Sequence, residues 1–310
     1  MTETAAIFPG QGSQSIGMLA ELAADSELVK ATFDEASRAI GRDLWRLVGD
    51  GPAEELNQTR WTQPAMLAAD IAVWRVYRSR GGDMPLALAG HSLGEYAALV
   101  AAESMALTDA AAVVHERGRL MQTAVPEVEG AMAAILGLED EQVVRLCADS
   151  DPDQPVVAAN YNSPGQLVIA GSRPGVERVV EQCRQAGARR AMLLPVSVPA
   201  HSPLMAPAAS GLEQALKRIE IESPARPVLH NLDLQPRRDA ESIRQALIDQ
   251  LTHPVLWTGT IRELVARGAT TFVECGPGRV LSGLGKRIHR NAAWLALESG
   301  QGIKQALDAQ

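Results

Sequence analysis

The residues best suited to do chemistry lie in one short pattern, GHSLG at residues 90–94, which fits G-x-S-x-G around Ser92. An apolar run over residues 85–89 precedes it and predicts a buried strand, while residues 93–103 are rich in Ala and Leu and predict a helix. A serine at such a strand-to-helix turn has an exposed hydroxyl beside the free N–H groups of the helix start. The pattern also arises by chance in a glycine-rich chain, so the prediction of a nucleophile depends on the flanking elements.

Six histidines could serve as the general base for such a serine. His91 adjoins Ser92, and neighbouring side chains on extended backbone point apart. His201 alone lies on an uncharged loop punctuated by prolines, residues 195–207, the kind of segment that presents functional side chains. The other four lie in or beside predicted helices and strands. The sequence therefore favours His201, and a solvated or core-packed histidine remains the alternative.

A third reactive group is predicted inside the helix over residues 108–124, which Thr108 or Asp109 would cap. Arg117 lies on the apolar stripe of this helix, at i+3 and i+4 from valines and a leucine. Because an unpaired buried charge is costly, this guanidinium needs an anionic partner. Either a carboxylate of the protein pairs with it, or it awaits a carboxylate of the substrate, bound by the two-pronged guanidinium fork.

Composition limits the classes of function. A chain of 310 residues with 46% hydrophobic but only 4% aromatic residues predicts a large core of small aliphatic side chains. The net charge of −8 argues against a general nucleic-acid binder. Three scattered cysteines predict neither a disulfide framework nor a zinc site, and they fit a reducing compartment. Prolines interrupt the longest uncharged stretch, residues 191–212, and no secretory signal is visible, so we expect a cytoplasmic protein without a membrane helix.

A glycine-rich segment, PGQGSQ at residues 9–14, follows the predicted first strand at residues 5–8. A nucleotide-binding role is rejected, because Ser15 stands where G-x-G-x-x-G needs its third glycine and no P-loop lysine follows. The segment is either a simple tight turn or a loop whose backbone approaches a ligand closely.

The element pattern predicts an α/β fold with two domains. Residues 130–195 predict the order βαββαβ, a ferredoxin-like unit, and the flanking segments alternate helix and strand as a mostly parallel sheet requires. We expect a discontinuous large domain at residues 1–127 and 197–310 and an inserted small domain at residues 128–196. Outside the small domain, the predicted elements include helices at residues 15–24, 26–40 and 63–80 and a last strand at residues 294–297.

Several blocks of the chain together resemble the bacterial malonyl-CoA:acyl carrier protein transacylases of type II fatty acid synthesis. The blocks are FPGQGSQ at 8–14, TQPA at 62–65, GHSLGE at 90–95, RG at 117–118, NSPGQ at 162–166, VPAHS at 198–202, PVLW at 254–257 and ECGPG at 274–278. They span nearly the whole chain in the right order, which is more specific than any one block. The resemblance implies an α/β-hydrolase-like large domain with a parallel sheet and a ferredoxin-like insertion, in agreement with the element pattern.

The resemblance also implies roles for individual residues. It makes Ser92 the nucleophile and His201 its base, oriented by the backbone carbonyl of Gln250 in place of the acid of a hydrolase triad. It places the backbone N–H groups of Gln11 and Leu93 in the oxyanion hole. The remaining implied residues bind substrate: Arg117 takes the free carboxylate of malonate, and Gln63, Asn162 and Gln166 line the same pocket. No metal and no bound cofactor are implied.

The implied reaction is a ping-pong transfer of malonyl from malonyl-CoA, through a malonyl-serine, to the phosphopantetheine thiol of holo acyl carrier protein. Coenzyme A and acyl carrier protein are the expected partners of a monomer. Docking of the acidic carrier protein needs a basic patch, for which the candidates are Lys286, Arg287 and Arg290, with Arg189 and Arg190 as a second choice. A solvated helix face is the alternative explanation of these charges.

Three rival functions remain open on the sequence. A serine thioesterase or esterase would share Ser92 and His201 but pass the acyl group to water. A non-catalytic module would bind coenzyme A or a carrier protein without forming an adduct. A malonyl transferase of a malonate decarboxylase system would use the same chemistry with another carrier.

Overall fold

The computed structural model describes residues 3–126, 129–196 and 198–310. Within these ranges the strands are β1 (Thr4–Phe8), β2 (Ala87–Gly90), β3 (Gly130–Leu136), β4 (Val156–Ser163), β5 (Gln166–Ser172), β6 (Arg190–Leu193), β7 (Val228–Leu229), β8 (Thr271–Glu274) and β9 (Ala293–Ala296). The α-helices are α1 (Ala20–Asp25), α2 (Glu27–Ile40), α3 (Leu44–Asp50), α4 (Ala53–Leu56), α5 (Thr59–Ser79), α6 (Gly94–Ala101), α7 (Leu107–Ala124), α8 (Asp140–Ala148), α9 (Arg173–Gln185), α10 (Ala206–Lys217), α11 (Ala240–Asp249), α12 (Trp257–Ala266), α13 (Val280–Ile288) and α14 (Gly300–Asp308).

Five short strands form a parallel sheet in the order β7-β2-β1-β8-β9. Its strands are buried on both faces, because alternate side chains of β1 enter different cores. Phe8 packs in the larger core with α2, α5, α6 and α7, whereas Ile7 packs in a second core that contains Trp257 and Phe272. The prediction of an α/β fold around a parallel sheet is confirmed.

The other four strands form an antiparallel sheet in the order β4-β5-β3-β6, packed with α8 and α9 around a core of its own. This order and the βαββαβ succession are those of the predicted ferredoxin-like unit. We propose that the two sheets mark two domains. The boundaries expected at residues 127, 128 and 197 lie outside the described residues.

Strand β4 is joined through the backbone to the segment just before α12. Val255, just before α12, donates from its N–H to the Ala159 carbonyl and accepts from the Tyr161 N–H, both at 2.9 Å. The Thr258 hydroxyl donates to the Tyr161 carbonyl at 3.0 Å. These contacts tie the antiparallel sheet to the helix that packs beneath the parallel one.

Several predicted boundaries are wrong. Helix α5 begins at Thr59 and carries Pro64 in its interior, because Gln58, not the TQP run, stands at its N-cap. Helix α1 begins only at Ala20, after the left-handed residues Gly17 and Leu19. Helix α7 follows Ala106 with no side-chain cap, so neither Thr108 nor Asp109 plays that role. The prediction did not include α3, α4 or α14.

Candidate active site

The backbone at Ser92 is folded as the G-x-S-x-G pattern requires. Strand β2 ends at Gly90, α6 begins at Gly94, and Ser92 between them has a φ of 53°, in the left-handed region. A Cβ at Gly90 would lie 1.9 Å from the Gly94 carbonyl, and one at Gly94 would lie 2.1 Å from the Phe8 carbonyl oxygen. Both positions therefore require glycine, and the strained turn presents the Ser92 hydroxyl at the start of a helix.

The side chain of Asn231, from the segment after β7, ties this turn together. Its Oδ1 accepts the Ser92 N–H at 2.7 Å, and its Nδ2 donates to the Gly90 carbonyl at 2.7 Å. Asn231 is wholly buried. Both backbone groups of the strained turn are thereby satisfied by one amide.

His201 is in contact with the serine. The Ser92 hydroxyl lies 2.7 Å from His201 Nε2, and His201 Nδ1 donates to the Gln250 carbonyl oxygen at 2.8 Å. Because a carbonyl oxygen only accepts, the proton of a neutral ring sits on Nδ1, and the Nε2 lone pair faces the hydroxyl. Burial, followed by the charge of Arg117, lowers the pKa of His201 to about 3. The imidazole is therefore neutral at physiological pH and able to take a proton.

The loop that carries Gln11 packs against the same turn. A Cβ at Gly10 would lie 2.5 Å from the His91 carbonyl oxygen and 3.7 Å from the Leu93 nitrogen. Across the described ranges, the N–H groups of Gln11 and Leu93 donate to no protein acceptor. Two free backbone donors thus come from segments that meet beside Ser92, which suits them to a developing oxyanion.

Arg117 is 1% exposed and held by amides. Its Nη1 donates to Gln63 Oε1 and its Nη2 to Gln250 Oε1, both at 2.9 Å, and its guanidinium carbon lies 5.6 Å from the centre of the Tyr96 ring. No described carboxylate is within ion-pair distance, and Nε has no partner. Burial lowers the pKa of Arg117, while its ordinary value is high enough for the group to stay charged. Of the two alternatives left by the sequence, the structural ion pair is absent from the part of the chain that the structure describes.

Comparison with known proteins finds relatives along nearly the whole chain. The model of the acyl transferase domain family matches residues 6–296. A malonyl CoA-acyl carrier protein transacylase of Salmonella typhimurium is 50% identical over 99% of both chains. The solved transacylase of Coxiella burnetii has a TM-score of 0.98 at 46% identity, covering 99% of this chain and 97% of that one. A malonyl-transacylase solved with a type II PKS acyl-carrier protein has a TM-score of 0.98 at 48% identity over the full length of both chains.

The chain belongs to the malonyl CoA-acyl carrier protein transacylase family. The resemblance drawn from the sequence blocks is thereby confirmed. No group of His, Cys, Asp and Glu in the described part of this transacylase could hold a metal ion. Within residues 3–126, 129–196 and 198–310, no helix has the length and apolarity needed to cross a membrane.

One buried carboxylate of this transacylase was not predicted as part of the site. Glu95, at 0% exposure, accepts from His230 Nδ1 at 2.8 Å, from the Asn231 N–H at 2.9 Å and from Gln250 Nε2 at 2.9 Å. The sequence did contain a signal, since Glu95 is the one charged residue in the otherwise apolar helix α6.

The three other predicted pocket residues lie at different distances from the serine and the arginine. Gln63 contacts Arg117, as described above. Asn162 Oδ1 lies 2.8 Å from His91 Nε2, so it links the antiparallel sheet to the residue before the nucleophile. Gln166 hydrogen-bonds to Ser163 and to Arg287, in a groove between the antiparallel sheet and the end of α13. Among the described residues it has no hydrogen bond to Ser92 or Arg117.

The predicted basic patch of the transacylase divides between two grooves. Arg287 and Arg290 line a groove of about 350 Å³ together with Arg189 from the antiparallel sheet. Lys286 lines a separate groove of about 470 Å³ beside β9 and the start of α14. None of the three arginines forms an ion pair with a described carboxylate. Arg190, the other second-choice residue, lines neither groove.

Proposed function

We propose that this chain transfers the malonyl group of malonyl-CoA, through a malonyl-Ser92 intermediate, to the phosphopantetheine thiol of acyl carrier protein. One observation carries the proposal: a buried Arg117 without a carboxylate partner shares Gln250 with the base of the Ser92–His201 pair. Membership of the transacylase family and a relative solved with an acyl-carrier protein support it.

In the first half-reaction, Ser92 Oγ attacks the thioester carbon while its proton passes to His201 Nε2. The carbonyl oxygen becomes an oxyanion and accepts the N–H groups of Gln11 and Leu93. Loss of one such donor typically lowers the rate by about 10²–10³. Collapse of the tetrahedral intermediate breaks the C–S bond, and the coenzyme A sulfur leaves with the proton held by His201.

The second half-reaction reverses these steps with a different thiol. The phosphopantetheine thiol of the carrier protein gives its proton to His201 Nε2 as its sulfur attacks the malonyl-serine ester. The same two N–H groups stabilise the oxyanion, and the C–O bond breaks as Ser92 Oγ recovers the proton. No carboxylate is needed to orient His201, because the Gln250 carbonyl accepts from Nδ1 and fixes the tautomer.

Arg117 accounts for the choice of acyl group. A charge-assisted pair with the free carboxylate of malonyl contributes about 1.5–3 kcal/mol. An acetyl group would leave the guanidinium without a partner on that side, and a buried charge left unpaired is costly. Gln63 and Gln250 keep the guanidinium in place without neutralising it.

The remaining expectations form part of the same proposal. Coenzyme A leaves as product, acyl carrier protein is the second substrate, and the product supplies fatty acid elongation. Serine and histidine supply all the chemistry, so no cofactor is required. Arg287 and Arg290, together with Lys286, are proposed to receive the acidic carrier protein, and a monomer in the cytoplasm remains the expected state. Three free, buried cysteines fit a reducing compartment.

Steady-state kinetics with both substrates varied test this function. Malonyl-CoA and holo acyl carrier protein should give parallel double-reciprocal lines, because the malonyl group rests on the enzyme between the two thiols. Free malonate should accumulate slowly relative to transfer. Rapid malonate release that is independent of the carrier protein would mean a thioesterase, and intersecting lines would exclude the serine intermediate.

A further inference from the structure

The side-chain amide of Gln250 can take only one orientation. Its Nε2 donates to Glu95 Oε2 at 2.9 Å and to the Ser92 carbonyl at 3.1 Å, while its Oε1 accepts from Arg117 Nη2 at 2.9 Å. A carboxylate and a carbonyl only accept, and a guanidinium only donates. Exchanging the nitrogen and oxygen of the amide would therefore break all three hydrogen bonds.

Glu95 is the acceptor that fixes this orientation from the far side. His230, Asn231 and Gln250 each donate to it, so its wholly buried carboxylate is satisfied without a direct contact to Arg117. The nearest chain of hydrogen bonds from the cation to the anion runs through one amide, from Arg117 to Gln250 to Glu95. Two opposite buried charges are thus kept apart by a neutral spacer.

The amide spacer matters because a direct ion pair between Arg117 and a carboxylate of the protein would block the substrate. A carboxylate placed against Arg117 would occupy the donors that a carboxylate of the substrate needs, and the guanidinium fork would be saturated. With no counter-charge at all, the buried guanidinium would be uncompensated. The amide spacer avoids both conditions: the charge of Arg117 is balanced through Gln250, and one buried donor, Nε, still has no partner.

We infer that Glu95 is a positioning residue: it holds the Gln250 amide with its oxygen toward Arg117, so that the guanidinium is balanced in charge yet free for the substrate carboxylate. Glu95 acts through Gln250 and contacts neither the substrate nor the reacting atoms. The inference rests on the proposed function, because it assigns to Glu95 the preference for acyl groups with a free carboxylate.

The most direct test exchanges the two side chains. The double variant E95Q/Q250E keeps the composition, the net charge and the backbone carbonyl that accepts from His201, and it moves the carboxylate next to Arg117. The ratio of kcat/KM for malonyl-CoA to that for acetyl-CoA should fall by about 10-fold or more, because the introduced carboxylate competes for the guanidinium. Acetyl transfer should fall less than malonyl transfer, so the ratio of the two, and neither rate alone, is the readout of this variant.

Single variants separate positioning from stability. E95Q replaces a group that only accepts with an amide that also donates, so the Gln250 amide is no longer held with its oxygen toward Arg117. The KM for malonyl-CoA should rise by about 10-fold, and kcat should change less. The milder E95D keeps the charge but withdraws it from Gln250, so the ratio should fall by a few-fold. E95D is the variant to measure if E95Q and E95Q/Q250E do not fold. E141Q, on the exposed face of α8, is the matched control and should behave as the wild type.

If E95Q/Q250E has the wild-type ratio of kcat/KM for malonyl-CoA and acetyl-CoA, the inference is overturned, because the position of the carboxylate would not affect acyl selectivity. Equal losses of malonyl and acetyl transfer in E95Q or E95D would also overturn it, since they would indicate a purely structural role. Failure of the proposed function looks different: the wild-type enzyme itself would then form no malonyl-serine.

Discussion

Arginines occur in two very different settings in this molecule, and the contrast indicates two different tasks. Arg117 is buried, and its two Nη groups are fixed by amide oxygens. Burial and then the charge of Arg117 lower the pKa of His201. Arg189, Arg287 and Arg290 are exposed along a groove between the antiparallel sheet and the end of α13. A desolvated charge can discriminate strongly between ligands, whereas exposed charges are screened and mainly steer association.

In the proposed function, the buried arginine and the groove arginines also act on different parts of the two thioester substrates. In the proposed function, Arg117 recognises the malonyl group, which is the same in both half-reactions. The groove arginines are proposed to bind the carrier of that group, which differs between the half-reactions. Changes at the buried site should therefore affect acyl selectivity, and changes in the groove should affect one carrier more than the other.

The largest effect is expected at the nucleophile itself. Ser92→Ala removes the oxygen that bears the acyl group, so transfer of both malonyl and acetyl should fall by about 10⁴-fold or more. The measurement is steady-state transfer to holo acyl carrier protein. Ser202→Ala, which deletes a nearby buried hydroxyl bonded to the Pro199 carbonyl, is a matched control and should retain most of the activity. Comparable losses in both variants would contradict the assignment.

The next largest effect concerns the buried arginine. Arg117→Ala should lower kcat/KM for malonyl-CoA by about 10–150-fold, which corresponds to about 1.5–3 kcal/mol, and should affect acetyl-CoA much less. Arg117→Lys keeps a charge without the fork and should recover only part of the loss. An equal loss for both acyl groups would show that Arg117 does not read the carboxylate.

The pH dependence follows from the lowered pKa of His201, which is about 3 instead of 6.5. The base must be neutral to act, so activity is lost only when the pH falls through the pKa of the folded enzyme. The kcat/KM for malonyl-CoA should therefore stay flat from about pH 8 down to about pH 5. Arg117→Gln removes a cause of the shift and should move the acid limb upward. A wild-type acid limb near pH 6.5 would contradict this account.

The smallest effect is expected in the groove. Reversing Arg287 and Arg290 to Glu should raise the KM for holo acyl carrier protein by several-fold at low salt, and the effect should shrink as salt increases. Lys286→Glu measures the share of the third proposed docking residue, which lies beside Arg287 on α13 but lines the other groove, and it should raise this KM less. If Lys286→Glu weakens carrier binding as much as the arginine reversals, the docking surface must include the second groove.

Sequence patterns were sufficient to predict the parts of the candidate site that depend on local structure. The turn at Ser92 was predictable because a glycine stands two residues to either side of it, with an apolar strand pattern before and a helix pattern after. The buried face of α7 was predictable because Arg117 falls on an apolar stripe. The parallel and antiparallel sheets followed from the order of strands and helices. The carbonyl of Gln250 and the N–H groups of Gln11 and Leu93 came only from the family resemblance.

The parts that were missed depend on contacts between distant segments. Glu95 meets His230, Asn231 and Gln250 across more than 130 residues of chain, and no local pattern encodes such contacts. Asn231 likewise reaches Ser92 and Gly90 only after β7 pairs with β2. The basic residues at the end of α13 were predicted to form one patch. Successive residues of a helix point in different directions, so Lys286 and Arg287 line different grooves.

The central claim is that Ser92 holds a malonyl group between two thiols. Intact mass spectrometry after mixing the enzyme with malonyl-CoA tests it most directly, with peptide mapping of the adduct and a second sample to which holo acyl carrier protein is added. We predict one malonyl group on Ser92, stable in buffer and discharged to the carrier protein, and no adduct in Ser92→Ala. No adduct in the wild type, or an adduct that water removes as fast as the carrier protein does, would contradict the account.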